Sequence, residues 1–453
     1  MGLRAPIALG LGSAVGVLAG KRASGPTLVH WPEKIRDAFP LAVGGVIGAK
    51  SAATLALLLY GRRARVSPAL AATLFVGAGA GAVGAKAAAD KVLANLTEKG
   101  REIDPAFATP PSNPLVSGGP GSHVAYEHMG REGARFVQAV QSAEDIKKVS
   151  GKKAKAEPIR VFVGVENAPT VETRVELAMA ELRRTGAFDR EILIVQAPAG
   201  TGYANATPID VVELLGGGDC ASVVIGYGLL PSFLSLGKVD LGGRTQRLLL
   251  DAIAAEMKTR TKNPRIFLYG ESLGAKVQQW AVPAGLPDLD NYNVDAVLYV
   301  GTPGGTASDV FHGGVSDVSF TLDRPEQIPA GVAERTDFRV WFLEHDGDPV
   351  VRFRPDLIWA DPAWLQQEPR GRNVPESMEW TPLVTWMQVL VDTLFATNIK
   401  PGDFQSLGHD YRADLGAVTT AAYRMPTSPA IASRLEAHLR EAEVEKAKLV
   451  GEA

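Results

Sequence analysis

Hydrophobic residues between positions 158 and 430 form short apolar runs that alternate with longer amphipathic stretches. The runs have the length of buried strands, and the stretches between them repeat apolar residues at helical spacing. Such alternation indicates a mostly parallel sheet flanked by helices. The predicted strands are Arg160–Val165, Glu191–Ala197, Ser222–Tyr227, Arg265–Tyr269, Ala296–Gly301 and Phe338–Glu344. The predicted helices are Thr170–Thr185, Pro208–Leu215, Arg244–Thr261 and Leu273–Ala281.

The first 90 residues follow a different pattern, in which Ala, Gly, Leu and Val dominate three long stretches. These are Pro6–Gly20, Pro40–Tyr60 and Pro68–Ala89. Glycine weakens a soluble helix but lets helices approach closely in a bilayer, so its abundance favours membrane-anchor helices. Lys50 and Lys86 interrupt two of the stretches, which leaves surface-lying helices or a soluble hairpin as alternatives. The first stretch could instead be a signal peptide.

Basic residues between these stretches bear on orientation. Lys21 and Arg22 lie in the first connection, and Arg62–Arg65 lies in the second, so the two groups face opposite sides of a membrane. Taking the tighter Arg62–Arg65 cluster as cytoplasmic places everything after residue 90 outside the cytoplasm. We therefore expect a cell-membrane protein whose main domain is extracytoplasmic.

A connector joins the two regions. It contains a Pro-, Gly- and Ser-rich piece, TPPSNPLVSGGPGS, which predicts flexibility, and two histidines expected at the surface, His123 and His128. The predicted domains are the anchor helices at 1–90, the connector at 91–157, the α/β domain at 158–430 and a charged helix at 431–453.

Composition narrows the kinds of partner and cofactor. The 47 basic and 50 acidic side chains nearly cancel to a formal charge of -3, so nothing global favours a nucleic acid. The single cysteine, Cys220, excludes an intrachain disulfide and is predicted to be a buried strand residue. The seven histidines are scattered and form no metal-binding motif. The glycine-rich run Gly216–Asp219 precedes a strand, whereas a phosphate-binding loop follows one. We therefore expect neither a metal nor another cofactor.

The strongest local motif is Gly270-Glu271-Ser272-Leu273-Gly274, which lies between the apolar strand RIFLY and a helix. A serine in this setting occupies a strained turn that lifts its hydroxyl clear of the sheet, and the flanking glycines let strand and helix pack closely. Ser272 is therefore the predicted nucleophile. The backbone N–H of Leu273, at the start of the helix, is a predicted donor to an oxyanion.

A serine hydroxyl needs a base to take its proton, and after such a turn an acid and then a histidine follow along the chain. The strand FRVWFLEHDGDPVV ends in two acids, of which we expect Asp348, because Asp346 is suited to shaping the turn. Asp346 stays the alternative acid. His409 is the expected base, because His345 precedes the acid and His438 lies in a charged helical pattern typical of a solvated face.

The second oxyanion donor is expected on a loop at the carboxyl end of a strand. Two loops qualify, Ala197–Tyr203 and Gly164–Asn167. The first is richer in glycine, which favours the amides of Gly200 and Thr201.

With these residues placed, the region from about 158 to 425 resembles the actinobacterial membrane-associated α/β-hydrolase family. The likeness is carried by EPIRVFVGVENAPTVETRVELAMAELRRTGAFDR, APAGTGY, YGLLPSFLSL, LYGESLGA, HDGDPVVRFRPDL, VTWMQVLVDTLFAT and GHDY. It implies an α/β-hydrolase fold behind a hydrophobic N-terminal region, with a triad of Ser272, Asp348 and His409. The stretch Thr302–Asp337 matches more weakly, and the N-terminal region is shorter and less hydrophobic than is usual in the family.

The sequence thus predicts a membrane-anchored serine hydrolase that cleaves a carboxylic ester through an acyl-enzyme. Two apolar segments, Tyr227–Leu236 and Trp359–Phe395, are candidates for a lid over an apolar acyl chain or for ordinary core, and favour a lipid or other hydrophobic ester. They include Phe233, Leu234, Trp364, Trp380 and Trp386. An amidase, peptidase or acyltransferase with the same triad, or a non-catalytic scaffold, are the alternatives.

Overall fold

The structure is a computed structural model that describes residues 4–60, 94–95, 97–230, 235–304, 319–332, 335–397 and 402–451. The chain forms two compact units. The N-terminal unit comprises Met1–Ala94 with Asp346–Asn398, and the sheet unit comprises Asn95–His345 with Ile399–Ala453. Residues 346–398, which the sequence pattern places in the α/β domain, therefore fold with the N-terminal helices.

The sheet unit is built on parallel strands in the spatial order β1-β3-β2-β4-β5-β7-β6. Four of these strands, β1, β2, β3 and β7, are buried along their whole length, which is typical of strands covered on both faces. Their bounds are β1 Ile159–Val163, β2 Ile192–Ala197, β3 Cys220–Ile225, β4 Arg265–Glu271, β5 Val294–Val300, β6 Ser319–Leu322 and β7 Val340–Leu343. The six predicted strands are confirmed within a few residues. The short edge strand β6 lies in a stretch that the sequence pattern leaves irregular.

The helices are divided between the same two units. Those of the N-terminal unit are α1 Arg4–Ala23, α2 Glu33–Tyr60, α10 Pro349–Arg352 and α11 Val384–Leu394. Those of the sheet unit are α3 Gly130–Gln138, α4 Ala143–Ser150, α5 Val171–Arg184, α6 Thr207–Gly216, α7 Val239–Met257, α8 Leu273–Ala281, α9 Leu286–Asn291, α12 Arg412–Ala422 and α13 Pro429–Val450. Cys220 is buried at the start of β3, as predicted.

In the N-terminal unit, α1 and α2 touch through glycines. A Cβ atom on Gly16 would lie 2.5 Å from the carbonyl oxygen of Gly44, and one on Gly48 would lie 3.0 Å from that of Gly12. The first two helices therefore approach each other closely at their glycines. Among the described residues no helix is long and apolar enough to cross a membrane, so their predicted spanning is not confirmed. The third stretch, Pro68–Ala89, lies outside the described residues.

The linker between α1 and α2 is fastened to α11 by one buried acid, Asp392. Its carboxylate accepts hydrogen bonds from the Trp31 indole at 2.6 Å and from the backbone N–H groups of Leu28 at 3.2 Å and Val29 at 3.5 Å. Ala23, Phe39, Val43 and Val384 pack around this point. Residues about 360 positions apart in sequence thus share one core.

The stretch predicted as a flexible connector is held against the sheet unit. Val116 is fully buried, and the backbone N–H of Ser117 donates to the carbonyl of Arg160 in β1 at 3.0 Å. The buried carboxylate of Glu181 on α5 accepts from the Ser122 hydroxyl and from the backbone N–H of His123. The prediction of flexibility is therefore wrong, because long-range contacts replace the secondary structure that this composition lacks. The side chains of His123 and His128 are exposed, as predicted.

The charged C-terminal helix α13 also packs on the sheet unit. His438, predicted on a solvated face, is instead buried, and its Nε2 lies 2.8 Å from Oε1 of Gln141. Leu435 and Leu439 are buried on the same side of the helix. The prediction for His438 fails because His438 and Leu439, three and four residues after Leu435, lie on the same side of the helix as Leu435.

Candidate active site

Ser272 lies at the sharp junction between β4 and α8. Its backbone has φ 55° and ψ -127°, a region that residues other than glycine rarely adopt. The strain is held by neighbouring structure, since the backbone N–H of Ser272 donates to the carbonyl of Val300 at the end of β5 at 2.8 Å. The serine side chain is partly exposed, whereas Leu273 and Gly274 after it are buried. This is the geometry expected of a nucleophile elbow.

The glycines on either side of Ser272 fit where any side chain would collide. A Cβ atom on Gly270 would lie 2.6 Å from the carbonyl oxygen of Gly274, and one on Gly274 would lie 2.3 Å from that of Ala197 in β2. Real Cβ atoms essentially never approach backbone so closely. The spacing of the motif is therefore explained by the packing of β4, α8 and β2 around the serine.

His409 lies beside the same strand ends. Gly408, with φ 60°, turns the chain just before it. The imidazole packs on Gly301, the residue after Val300, so closely that a Cβ atom there would lie 2.5 Å from Cε1 of His409. The histidine is 8% exposed and contacts the Tyr411 ring edge to face at 5.6 Å. Ser272 and His409 therefore each contact the chain at the end of β5.

Two sets of backbone amides lie near the elbow. The N–H groups of Leu273 and Gly274 begin α8, where the helix dipole favours negative charge. The loop after β2 is closed by hydrogen bonds from Ala199 N–H to the Tyr203 carbonyl and from Gly202 N–H to the Ala199 carbonyl. Neither bond uses the amides of the two residues predicted as donors, Gly200 and Thr201.

The competing loop after β1 is occupied by its own turn. The backbone N–H of Gly164 donates to the Asn167 side chain at 2.7 Å, and the Asn167 amide group donates to the carbonyl of Ala125. These contacts make Gly164–Asn167 a structural turn and favour the loop after β2.

The two candidate acids have different surroundings in the N-terminal unit. Asp348 is fully buried and caps α10, with Oδ1 accepting from the N–H of Val350 at 2.8 Å. Asp346 forms an ion pair with Arg352 at 2.9 Å and also accepts from the backbone N–H of Arg372. An acid already paired with arginine is a poorer partner for an imidazole, so these contacts favour Asp348, which stays a prediction.

His345, which the sequence analysis excludes as the base, is fully buried after β7 and contacts the segment that carries His409. Three of the aromatic residues predicted as lid or core also pack against buried residues. Trp364, Trp380 and Trp386 pack on the Leu28, Leu357 and Val389 cluster of the N-terminal unit. Phe233 and Leu234 lie outside the described residues.

Sequence reasoning missed a network beside the nucleophile. The carboxylate of Glu271 accepts from the Tyr269 hydroxyl at 2.7 Å and from the Asn205 side-chain amide at 2.8 Å. Burial first, and then the charge of Glu271, raises the pKa of Tyr269 well above its ordinary value, so the hydroxyl remains a donor. Asn205 follows the loop that carries Gly200 and Thr201. Its local sequence shows only a helix start, and nothing local reveals a partner in the elbow.

Comparison with known proteins bears on the family. Two structures of an acetylxylan esterase, one an iodinated complex, are similar to this chain at 18% identity with a TM-score of 0.25. Each alignment covers 36% of this chain and 85% of the esterase, a likeness too low to carry over an activity. No curated protein matches the chain. A family model described as the N-terminus of the alpha/beta-hydrolase family matches residues 38–139. The model of the alpha/beta-hydrolase family itself matches residues 159–313 and 310–433, which is more than half of the chain. This protein therefore belongs to the alpha/beta-hydrolase family.

Proposed function

We propose that this protein is a serine hydrolase that cleaves a carboxylic ester, with Ser272 as nucleophile, His409 as general base and Asp348 as the acid that orients it. The observation that carries the proposal is the strained Ser272 backbone, which is hydrogen-bonded to Val300 at the end of β5, next to Gly301 on which His409 packs. Strain of this kind persists where the surrounding structure over-determines it, and it clusters at functional sites.

In the proposed reaction His409 accepts the proton of the Ser272 hydroxyl as the serine oxygen attacks the ester carbonyl. The Leu273 amide, together with Gly200 or Thr201, donates to the oxyanion that forms. Collapse of this intermediate breaks the carbon–oxygen bond, and the leaving alcohol takes the proton from His409. Water then gives a proton to His409 and attacks the acyl-enzyme, which releases the acid and restores the serine.

The substrate class is proposed from the N-terminal helices. Leu18 is 64% exposed on α1 and Leu41 is 79% exposed on α2, while Lys21, Arg22 and Lys50 are exposed on the same two helices. Apolar side chains beside lysine and arginine are suited to the interface of an anionic bilayer. We therefore propose that these helices hold the enzyme at a membrane and that the ester is a lipid or another hydrophobic molecule.

The chemistry is tested with a fluorophosphonate probe on the purified full-length protein. We expect wild type to be labelled, Ser272→Ala to lose labelling and His409→Ala to label at least about 100-fold more slowly, since general base catalysis contributes about that much. Ser433→Ala, on the exposed face of α13, is the matched control and keeps wild-type labelling. A folded wild type that does not label would favour the scaffold alternative.

Membrane association is tested by flotation with anionic vesicles. Wild type is expected to float, and the double variant Leu18→Lys with Leu41→Lys is expected to stay in the lower fractions while it labels normally. Equal flotation of the two proteins would contradict the membrane part of the proposal. Graded p-nitrophenyl esters then test chain length, with longer acyl chains expected to give the higher kcat/KM.

A further inference from the structure

The side chain of His345 bridges the chain on both sides of His409. Its Nδ1 lies 3.2 Å from the carbonyl oxygen of Gly408, the residue before His409. Its Nε2 lies 2.9 Å from Oδ2 of Asp414, in the first turn of α12. His345 itself lies two residues past the end of β7 and is fully buried, so it fixes this segment close to the end of a strand.

The chemistry of these partners sets where protons lie. A backbone carbonyl only accepts, so Nδ1 of His345 donates to Gly408. The contact at Nε2 joins the same imidazole to the Asp414 carboxyl group. In a buried setting both contacts are stronger than they would be in water.

Tyr411 completes the support. Its hydroxyl accepts from the backbone N–H of His345 at 3.1 Å, and its ring stacks on the His345 ring at 3.9 Å. The His409 ring meets the same tyrosine ring edge to face, with 85° between the ring planes. The order His345, Tyr411, His409 is therefore a continuous run of packed rings.

We propose that His345 is a positioning residue, which holds the segment Gly408–Asp414 so that the His409 imidazole points at Ser272. The inference rests on the proposed function, since it assigns a support to the proposed base. A general base acts only within hydrogen-bond reach of the proton that it removes. Loosening the backbone that carries His409 therefore lowers the reaction rate more than it weakens substrate binding.

Two substitutions separate the two contacts. In His345→Asn the amide nitrogen takes the place of Nδ1 and keeps the bond to Gly408, whereas in His345→Gln the amide reaches toward Asp414 and loses Gly408. We expect the rate constant for fluorophosphonate labelling, and kcat on a p-nitrophenyl ester, to fall about tenfold in His345→Gln with KM unchanged. His345→Asn is expected to recover most of the loss. A merely structural histidine would lower stability in both variants without this split.

His438→Gln is the matched control, because it also removes a buried histidine but lies on α13 and contacts Gln141. It is expected to keep wild-type kcat, and thermal melting followed by circular dichroism shows which variants fold. Should both His345 variants fail to fold, ¹H–¹⁵N spectra of the wild-type ring decide, since the inference requires a slowly exchanging proton on Nδ1. A His345→Gln protein with wild-type kcat, or an Nδ1 without that proton, overturns the inference alone. A wild type that is never labelled removes the proposed function and this inference with it.

Discussion

Around β1 two buried acids are held by a cation, whereas the acid that fastens the N-terminal helices accepts from neutral donors. In the sheet unit, Arg160 donates from Nε to Glu213 at 2.7 Å and from Nη2 to Asp210 at 2.5 Å, all three side chains being almost inaccessible to water. In the N-terminal unit, the described partners of Asp392 are the Trp31 indole and two backbone N–H groups.

The difference appears in how each site responds to protons. Burial alone would lower the pKa of Arg160, but the two carboxylates raise it above its ordinary value, so the guanidinium stays charged at every ordinary pH. For Asp392, burial outweighs the three donors and raises the pKa to about 7. The sheet is therefore fastened by a fixed charge, and the N-terminal helices are fastened by a group that titrates near neutrality.

Removing the cation tests the first half of the comparison and gives the largest expected effect. Arg160→Met leaves two buried carboxylates without their partner, which we expect to cost about 5 kcal/mol of the free energy of unfolding. Urea denaturation followed by far-ultraviolet circular dichroism measures the loss. Lys148→Met, which breaks the exposed pair with Glu441, is the control and should leave the urea midpoint unchanged. A small effect for Arg160→Met would mean that water reaches these acids.

The second half concerns the pH dependence of the N-terminal unit. Because the folded pKa of Asp392 is raised above that of an unfolded aspartate, its contribution is fully present below about pH 4 and is lost as pH rises to about 7. The expected loss across this window is about 4 kcal/mol, from 1.36 kcal/mol per unit of pKa. Tryptophan fluorescence suits the measurement, because Trp31, Trp359, Trp364, Trp380 and Trp386 belong to this unit and the other two of the seven tryptophans do not.

Asp392→Asn isolates that group from other carboxylates. The amide oxygen still accepts from Trp31 but does not titrate, so the variant should be more stable than wild type at pH 8 and show no such gain at pH 4.5. Asp356→Asn, at an exposed aspartate paired with Arg354, serves as control and should follow the wild-type curve. Parallel curves for Asp392→Asn and wild type would contradict the raised pKa.

The smallest effect is expected at Glu271, a partly buried acid of the sheet unit that also has neutral donors. Glu271→Gln weakens the bonds to Tyr269 and Asn205 and so loosens the loop that carries Gly200 and Thr201. We expect kcat on a p-nitrophenyl ester to fall about fivefold, or about 1 kcal/mol, with little change in KM. Glu127→Gln, on an exposed side chain, is the control. An unchanged kcat would mean that the loop is held by other contacts.

Local patterns were enough to predict the elbow. The strand before Ser272, the helix after it and the two glycines all lie within a short stretch, so their joint geometry follows from neighbouring residues. The choice of His409 over His438 stays a prediction, and the solvated face expected for His438 was wrong. Charged residues around His438 mark one face of α13, and the buried face follows only from the partner that it packs against.

Contacts between distant residues were not predictable in this way. Asp392 and Trp31 are 361 positions apart, and no periodicity links the segment after β7 to the first two helices. The Pro-, Gly- and Ser-rich stretch around Val116 likewise takes its order from Arg160 and Glu181. Composition indicates how a segment behaves in isolation, whereas these segments are ordered by contacts with residues distant in sequence.

The burial of Cys220 has a practical consequence for labelling the chain. The thiol is 2% exposed, and burial raises its pKa well above the ordinary value, so it offers maleimide reagents little thiolate. It is also the single cysteine of the protein. A cysteine introduced at Val17, which is 61% exposed on α1, would therefore carry one polarity-sensitive dye per chain, and Cys220 would not have to be replaced first. The emission colour of that dye would show directly whether α1 enters a vesicle.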